Sequence, residues 1–391
     1  MGRHYIYSVK QIMKKSEIIF LIVVVISTTI LFFLPTGYEN PDLTKDMRYE
    51  KSKVLTVDNS GLRQISIVIT GVQEVTLKIE SGKFKGQIVS AQNHLLGQKN
   101  IDKLFKPGER AMTILQLNDE HNQIIGARAA EYYRQDLELL LFICFGGFLI
   151  LFARYVGLKA ILSFIFTALS FWKLLIPAFL NGYNPLLVSL SIVFICTLVI
   201  VLLVGGVNRK GGVALLGTMS GITITAILAL TFGHFFHIPG TVQEFSEALL
   251  YTGYTYLDLS TIFISVIFIS AAGAVMDVAM DISAAQHELI SHTPNMARFT
   301  LMKSGLNIAS PVIGSMTTTL LFAYSGSFMF AFMAFMAKGT PLENIVNKNY
   351  IAAEILHTLV GSFGLVLVAP LTAIIGAYVY TWTRKTSTLK Y

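Results

Sequence analysis

Two aspartates, Asp277 and Asp281, close the run Gly273-Ala-Val-Met-Asp-Val-Ala-Met-Asp281. Four residues is about one turn, so a helix puts both carboxylates on one face. The apolar run that holds them begins near Leu259. At about 1.5 Å per residue Asp277 lies about 27 Å along it, close to the end of a membrane core about 30 Å thick. A carboxylate at that depth costs a few kcal/mol unless it faces protein or water. Two adjacent carboxylates also repel, which makes a proton or a monovalent cation the natural third party. Small neighbours (Gly273, Ala274, Ala279, Ala284, Ala285) would let other helices approach closely. The hydroxyls of Ser315, Thr317, Thr318 and Thr319 on the next apolar run are the expected partners. The plain alternative is that Asp281 has already reached the interface and is simply hydrated.

Other groups carry weaker chemistry. Glu354 and His357 form a Glu-x-x-His pair on one helix face. Di-metal bundles use such pairs, but they need a second copy on another helix, and none is evident. An interhelical hydrogen-bonding pair, an interfacial pair near the outer end of the eighth span, or a proton relay remains. His234, His237, Glu244 and Glu247 cluster in a loop, where His-x-x-His is a poor metal signal and an interfacial turn is the simpler reading. Met329, Met333 and Met336 alternate with phenylalanines and read as adaptable packing. Lys173 beside Trp172 reads as a snorkelling side chain. There is no Gly-rich phosphate loop, nucleophile elbow or zinc-protease pair, so no enzyme, cofactor or resident metal is expected.

The elements that position these groups follow from hydropathy. Of 391 residues, 53% are hydrophobic and only 14% charged, against about 25% charged in a soluble domain. This is an integral membrane protein. Its +7 net charge sits largely at span ends rather than in a nucleic-acid patch. Eight spans are predicted: 18–34, 137–153, 161–180, 187–204, 212–232, 259–281, 306–324 and 351–382. Pro311 and Gly314 are expected kink points in the seventh. Phe328 to Ala337 is too short to span and reads as a half-helix dipping from the outer face or an outer extension of the seventh span, which makes 328–349 a possible re-entrant segment. Cys144 and Cys196 lie in apolar runs, as buried thiols. Lys10, Lys14, Lys15, Arg154, Lys159, Arg209, Lys210, Arg298 and Lys303 mark the cytoplasmic side, which puts both termini inside.

Between the first two spans the composition changes. Runs such as Arg63-Gln-Ile-Ser-Ile-Val-Ile, Glu74-Val-Thr-Leu-Lys-Ile and Met112-Thr-Ile-Leu-Gln-Leu alternate in polarity, separated by Asp58-Asn-Ser-Gly61, Ser81-Gly82 and Lys106-Pro-Gly108. Short strands at this spacing predict a small extracytoplasmic β-barrel or sandwich. The domain plan is therefore 1–37 (tail and first helix), 38–135 (β domain) and 136–391 (seven helices and segment 328–349). The fold class is an all-α polytopic bundle with that β domain inserted.

Several stretches resemble the YibE/F family of bacterial multispanning proteins: Glu247-Ala-Leu-Leu-Tyr-Thr-Gly, Gly273 to Asp281, His287-Glu-Leu, Phe322-Ala-Tyr-Ser-Gly-Ser, Glu354-Ile-Leu, and Leu359-Val-Gly-Ser-Phe-Gly-Leu-Val-Leu-Val-Ala-Pro. The resemblance covers nearly the whole chain and implies a multi-pass protein of the bacterial cell membrane. A local likeness also links Gly273-x-x-x-Asp277, followed by Ala309-Ser-Pro-x-x-x-Ser-x-Thr-Thr-Thr, to a helix pair of SecD, SecF and other RND proteins. There a carboxylate serves proton-driven work. This chain departs from them in having one such helix set and a single outside domain, so proton coupling by that route is analogy.

Two functions follow as expectations. One is a transporter or proton- or ion-coupled machine acting on a small solute or ion through Asp277. The other is a non-transporting scaffold, oligomeric or not, whose β domain binds an envelope protein. The lipid bilayer is a partner in both.

Overall fold

The computed structural model describes residues 15–38, 46–118 and 120–387; Lys10 and Lys14 of the basic N-terminal segment lie outside them. The chain forms two compact units, one of Tyr38–Leu151 and one of the flanking chain up to Gly37 and from Phe152.

In the first unit six strands form: β1 (Met47–Asp58), β2 (Leu62–Ile65), β3 (Val68–Ile79), β4 (Ile88–Leu96), β5 (Arg110–Leu117) and β6 (Ile124–Tyr132). β1 pairs antiparallel with both β3 and β5, β3 with β4, and β5 with β6, while β4 and β6 pair in parallel. The ring β1-β3-β4-β6-β5 is thus a closed five-stranded barrel, and β2 is a hairpin arm on β3. One parallel pairing in an otherwise antiparallel five-strand ring is the OB-type topology. The barrel forms because its sequence alternates: Gln73, Val75, Leu77 and Ile79 on β3, and Ala111, Thr113, Leu115 and Leu117 on β5, all point inward. The run Arg63–Ile69, expected as one strand, is instead a hairpin turned at Ser66, whose φ of 55° is left-handed. A buried amide pair crosses the core. Gln73 Nε2 donates to the Phe105 carbonyl at 2.9 Å, and its Oε1 accepts from Asn93 Nδ2 at 3.0 Å and from the Phe105 amide at 3.1 Å. Among loop groups, the Leu96 amide donates to Asp102 Oδ1 and the Gln98 amide to Oδ2, which holds the Asp102 carboxyl below its usual range, the Leu96 bond contributing most.

The helices of the second unit are α1 (Lys15–Phe33), α2 (Gln135–Ser170, shared between the units), α3 (Ile176–Leu180), α4 (Pro185–Gly205), α5 (Arg209–Phe236), α6 (Ser246–Tyr251), α7 (Leu259–His292), α8 (Arg298–Ser325), α9 (Met329–Ala337), α10 (Leu342–Val346) and α11 (Asn349–Ser387). Among the described residues seven helical runs are long and apolar enough to cross a membrane. The expected count of eight differs because the second and third spans lie in one run, Gln135–Leu180. That run is two helices meeting at a sharp kink at Arg154 (φ 50°, ψ −122°), where the loop marked by Arg154 and Lys159 was expected, and the chain is helical again beyond it. Segment 328–349 contains two short helices, α9 and α10.

Polar caps start the long helices. Asn184 accepts from the Leu187 amide, Asn208 from the Gly211 amide and Asp258 from the Thr261 amide. The central core joins α5, α7 and α11 through Ile222, Phe268, Val275, Ile282, Leu365 and Val368. Glycine permits the contact: a Cβ on Gly221 would stand 2.7 Å from Val275 Cγ1 and 2.9 Å from Val368 Cβ.

Candidate functional site

Helix α7 divides lengthwise. Ala271, Ala272, Val275, Met276, Val278, Ala279 and Ile282 are buried in the bundle. The opposite face carries Ser270, Gly273, Asp277 and Asp281, all exposed. The two carboxylates thus share a face, as their spacing requires, but the chain does not enclose them. The expected shelter of small residues splits: Ala279 faces inward, whereas a Cβ on Gly273 would meet nothing within 4 Å.

Depth can be read from cross-helix contacts. Ser283 Oγ donates to the Lys210 carbonyl at 2.8 Å, at the charged start of α5. Asp281 lies about 3 Å along α7 from that level and Asp277 about 9 Å, at 1.5 Å per residue. Asp281 therefore lies close to the charged start of α5, and Asp277 one turn further along α7.

The hydroxyl partners expected on α8 are turned elsewhere. Ser315 donates to the Val312 carbonyl, Thr317 to Ile313, Thr318 to Gly314 and Thr319 to Ser315. Each satisfies its own helix, as hydroxyls in apolar helices commonly do. Among the described residues none is hydrogen-bonded to Asp277 or Asp281. Ser315, Thr318 and Thr319 are exposed and Thr317 half-buried.

The structure does bring together Glu354 and His357, with two residues that sequence reasoning had not joined to them. His357 and Glu354 are only 12% and 15% exposed, and His357 Nδ1 stands 3.7 Å from Glu354 Oε2. The Tyr324 ring of α8 stacks on the imidazole, centroids 4.2 Å apart. Ser270 of α7 is hydrogen-bonded to His357 Nε2. The Ser270 hydroxyl also lies 2.9 Å from the Val266 and Ile267 carbonyls, so its one proton has an acceptor on its own helix. The ring then donates from Nε2, and a neutral ring turns a bare Nδ1 toward the carboxylate. Ser270 is about 17 Å from Leu259 and about 20 Å from the Ser283 level, which puts it part-way along the apolar run of α7. No local pattern announces Ser270 and Tyr324, because their partners lie 87 and 33 positions away in the chain.

Sequence reasoning also passed over Gln286, which is fully buried. Its Nε2 donates to the Ala373 carbonyl at 2.9 Å and the Leu301 carbonyl at 3.2 Å, tying α7 to α11 and α8. His234 and His237 lie with ring centroids 6.2 Å apart, and among the described residues no group of three His, Cys, Asp or Glu side chains could hold a metal.

The long apolar helices and the small barrel define a multi-pass membrane protein with an added β module. The profile of the YibE/F-like protein family matches residues 141–382, well over half of the chain, and the protein belongs to that family. Neither the curated proteins nor the solved structures contain a match.

Proposed function

We propose that the chain is a proton-coupled membrane transporter or machine of the cell membrane. In this reading protons occupy the Glu354–His357–Ser270 group and reach it along the face of α7 that carries Asp277 and Asp281. One observation carries the reading: three helices, α7, α8 and α11, place a carboxylate, an imidazole, a hydroxyl and an aromatic ring in contact part-way along the apolar run of α7. Ionisable groups at that depth are costly and mark proton or ion paths by default. An imidazole with different neighbours on its two nitrogens can take a proton on one and release the other. Asp277 fits the inner approach, since an exposed carboxylate on an apolar run needs a water-filled groove beside it. The charge rule supports an outside β domain and inside ends for the α7–α8 connection.

The test is collapse of an imposed pH gradient in proteoliposomes, read with an internal dye, as candidate monovalent and divalent ions are added. Wild type should dissipate the gradient with at least one ion. His357→Ala and Glu354→Gln should slow it at least tenfold, and Asp277→Asn should slow it less. Rates equal to wild type in all three variants would remove these residues from the mechanism.

A second reading, an envelope-binding scaffold, has its own support. A cavity of about 470 Å³ on the barrel is lined by Ser90, Gln92, His94, Gln116 and Arg128, groups suited to a hydrogen-bonding ligand. In-cell photocrosslinking from Gln92 that captures no reproducible partner would count against it.

A further inference from the structure

We infer that a second site, at the opposite end of the membrane unit from α3, binds a phosphate-bearing anion. It is a cavity of about 610 Å³ lined by Glu17 of α1, Arg154 and Lys159 of α2, Gly205 at the close of α4, and Asn208 and Lys210 at the start of α5. Three cationic side chains face one carboxylate, leaving a net two positive charges in the lining. They come from separate places: the break in α2, one turn beyond it, and the first turn of α5. Among the described residues none of the three is ion-paired with a carboxylate. Lys159 Nζ instead lies 5.1 Å from the Tyr155 ring.

Like charges lining one cavity repel, and a bound anion would offset that repulsion. The backbone keeps the space open. Gly206 has φ 88° and closes α4 without a side chain. Asn208 satisfies the Gly211 amide, and the positive end of the 28-residue α5 adds to the field without being the site itself. Cations arriving from different directions match an oxyanion with several oxygens, and guanidinium and ammonium groups are the usual phosphate donors. The helix ends around the cavity put it at headgroup level. The phosphate could then belong to an anionic lipid headgroup or to a soluble phosphate compound. Neither the proton group nor the barrel enters this inference.

The experiment uses the full-length protein in phosphatidylcholine nanodiscs and reads its melting temperature and, by native mass spectrometry, its bound lipid. One arm replaces a fifth of the lipid with phosphatidylglycerol; the other adds inorganic pyrophosphate to the neutral discs. Stabilisation in the first arm alone assigns a lipid headgroup, and stabilisation in the second a soluble phosphate. In either case Lys159→Gln and Lys210→Gln should each weaken binding about fivefold, and the effect should fall with salt. Glu17→Gln, which removes the opposing charge, should tighten binding, and it cannot do so by misfolding. No stabilisation in either arm, or binding that none of the three substitutions changes, overturns the site.

Discussion

His357 is the residue on which most of the proposed chemistry turns. Its Nε2 meets the Ser270 hydroxyl, its Nδ1 faces Glu354, and Tyr324 covers one ring face. Removing one partner leaves another polar group buried and unmatched, which costs more than the bond itself contributed. Ser270→Ala should therefore both slow proton movement and destabilise the protein. Measured side by side, gradient collapse per folded molecule and the melting temperature should both fall. Gln286 is the converse case, a fully buried amide with carbonyl partners on two neighbouring helices and no place in the proposed path. Gln286→Ala should destabilise the protein by about 1–3 kcal/mol, seen as a lower melting temperature in detergent, with little change in flux per folded molecule. In the barrel, Asp102 caps the β4 end through the Leu96 and Gln98 amides. Its folded carboxyl titrates below its unfolded value. Its contribution is therefore present above the unfolded value and lost as pH falls through the folded one. Hydrogen exchange at Leu96 and Gln98 should quicken on acidification in wild type, and Asp102→Asn should show that faster exchange already at neutral pH.

At the scale of elements, α5 is a glycine-faced helix wedged between α7 and α11. Gly221 meets Val275 and Val368, and a Cβ on Gly217 would run into Thr372. Close backbone approach, rather than the hydrophobic effect, drives helix association in lipid. A single methyl at Gly221 forces side chains or helices apart, so Gly221→Ala should destabilise the protein by about 1–3 kcal/mol through overpacking, seen as a lower melting temperature. Gly273→Ala on α7, where nothing lies within 4 Å, should be neutral. Equal effects at the two positions would contradict the packing described. The barrel illustrates another element-scale rule. Strict alternation buries one face of β3 and β5, and a slip of one residue would turn Gln73 out and Glu74 in.

For the whole molecule, the charge rule predicts opposite membrane sides for the β domain and the α7–α8 connection. Gln64 on β2 and Ser291 at the end of α7 are both exposed. With Cys144 and Cys196 replaced by serine, Gln64→Cys should react with a membrane-impermeant maleimide in whole cells, and Ser291→Cys only after lysis. The same label pattern at both positions would invert or abolish the proposed orientation. The segment from Phe328 to Asn349 carries Lys338, Glu343 and Lys348 and forms two short helices, of which the second buries Ile345.

The sequence by itself determined the membrane class, the long helices and the strand-rich insert, because hydropathy and alternation are local signals of burial. It determined that Asp277 and Asp281 share a face, because the helix period alone sets that. Only the tertiary structure decided which way that face points, since rotation of α7 depends on its opposite side packing onto Gly221 and α11. It also decided that the α8 hydroxyls bond their own helix, that Ser270 and Tyr324 join Glu354 and His357, and that three distant cations share one cavity. Those pairings cross between helices, and helices meet through side-chain fit that no local pattern records.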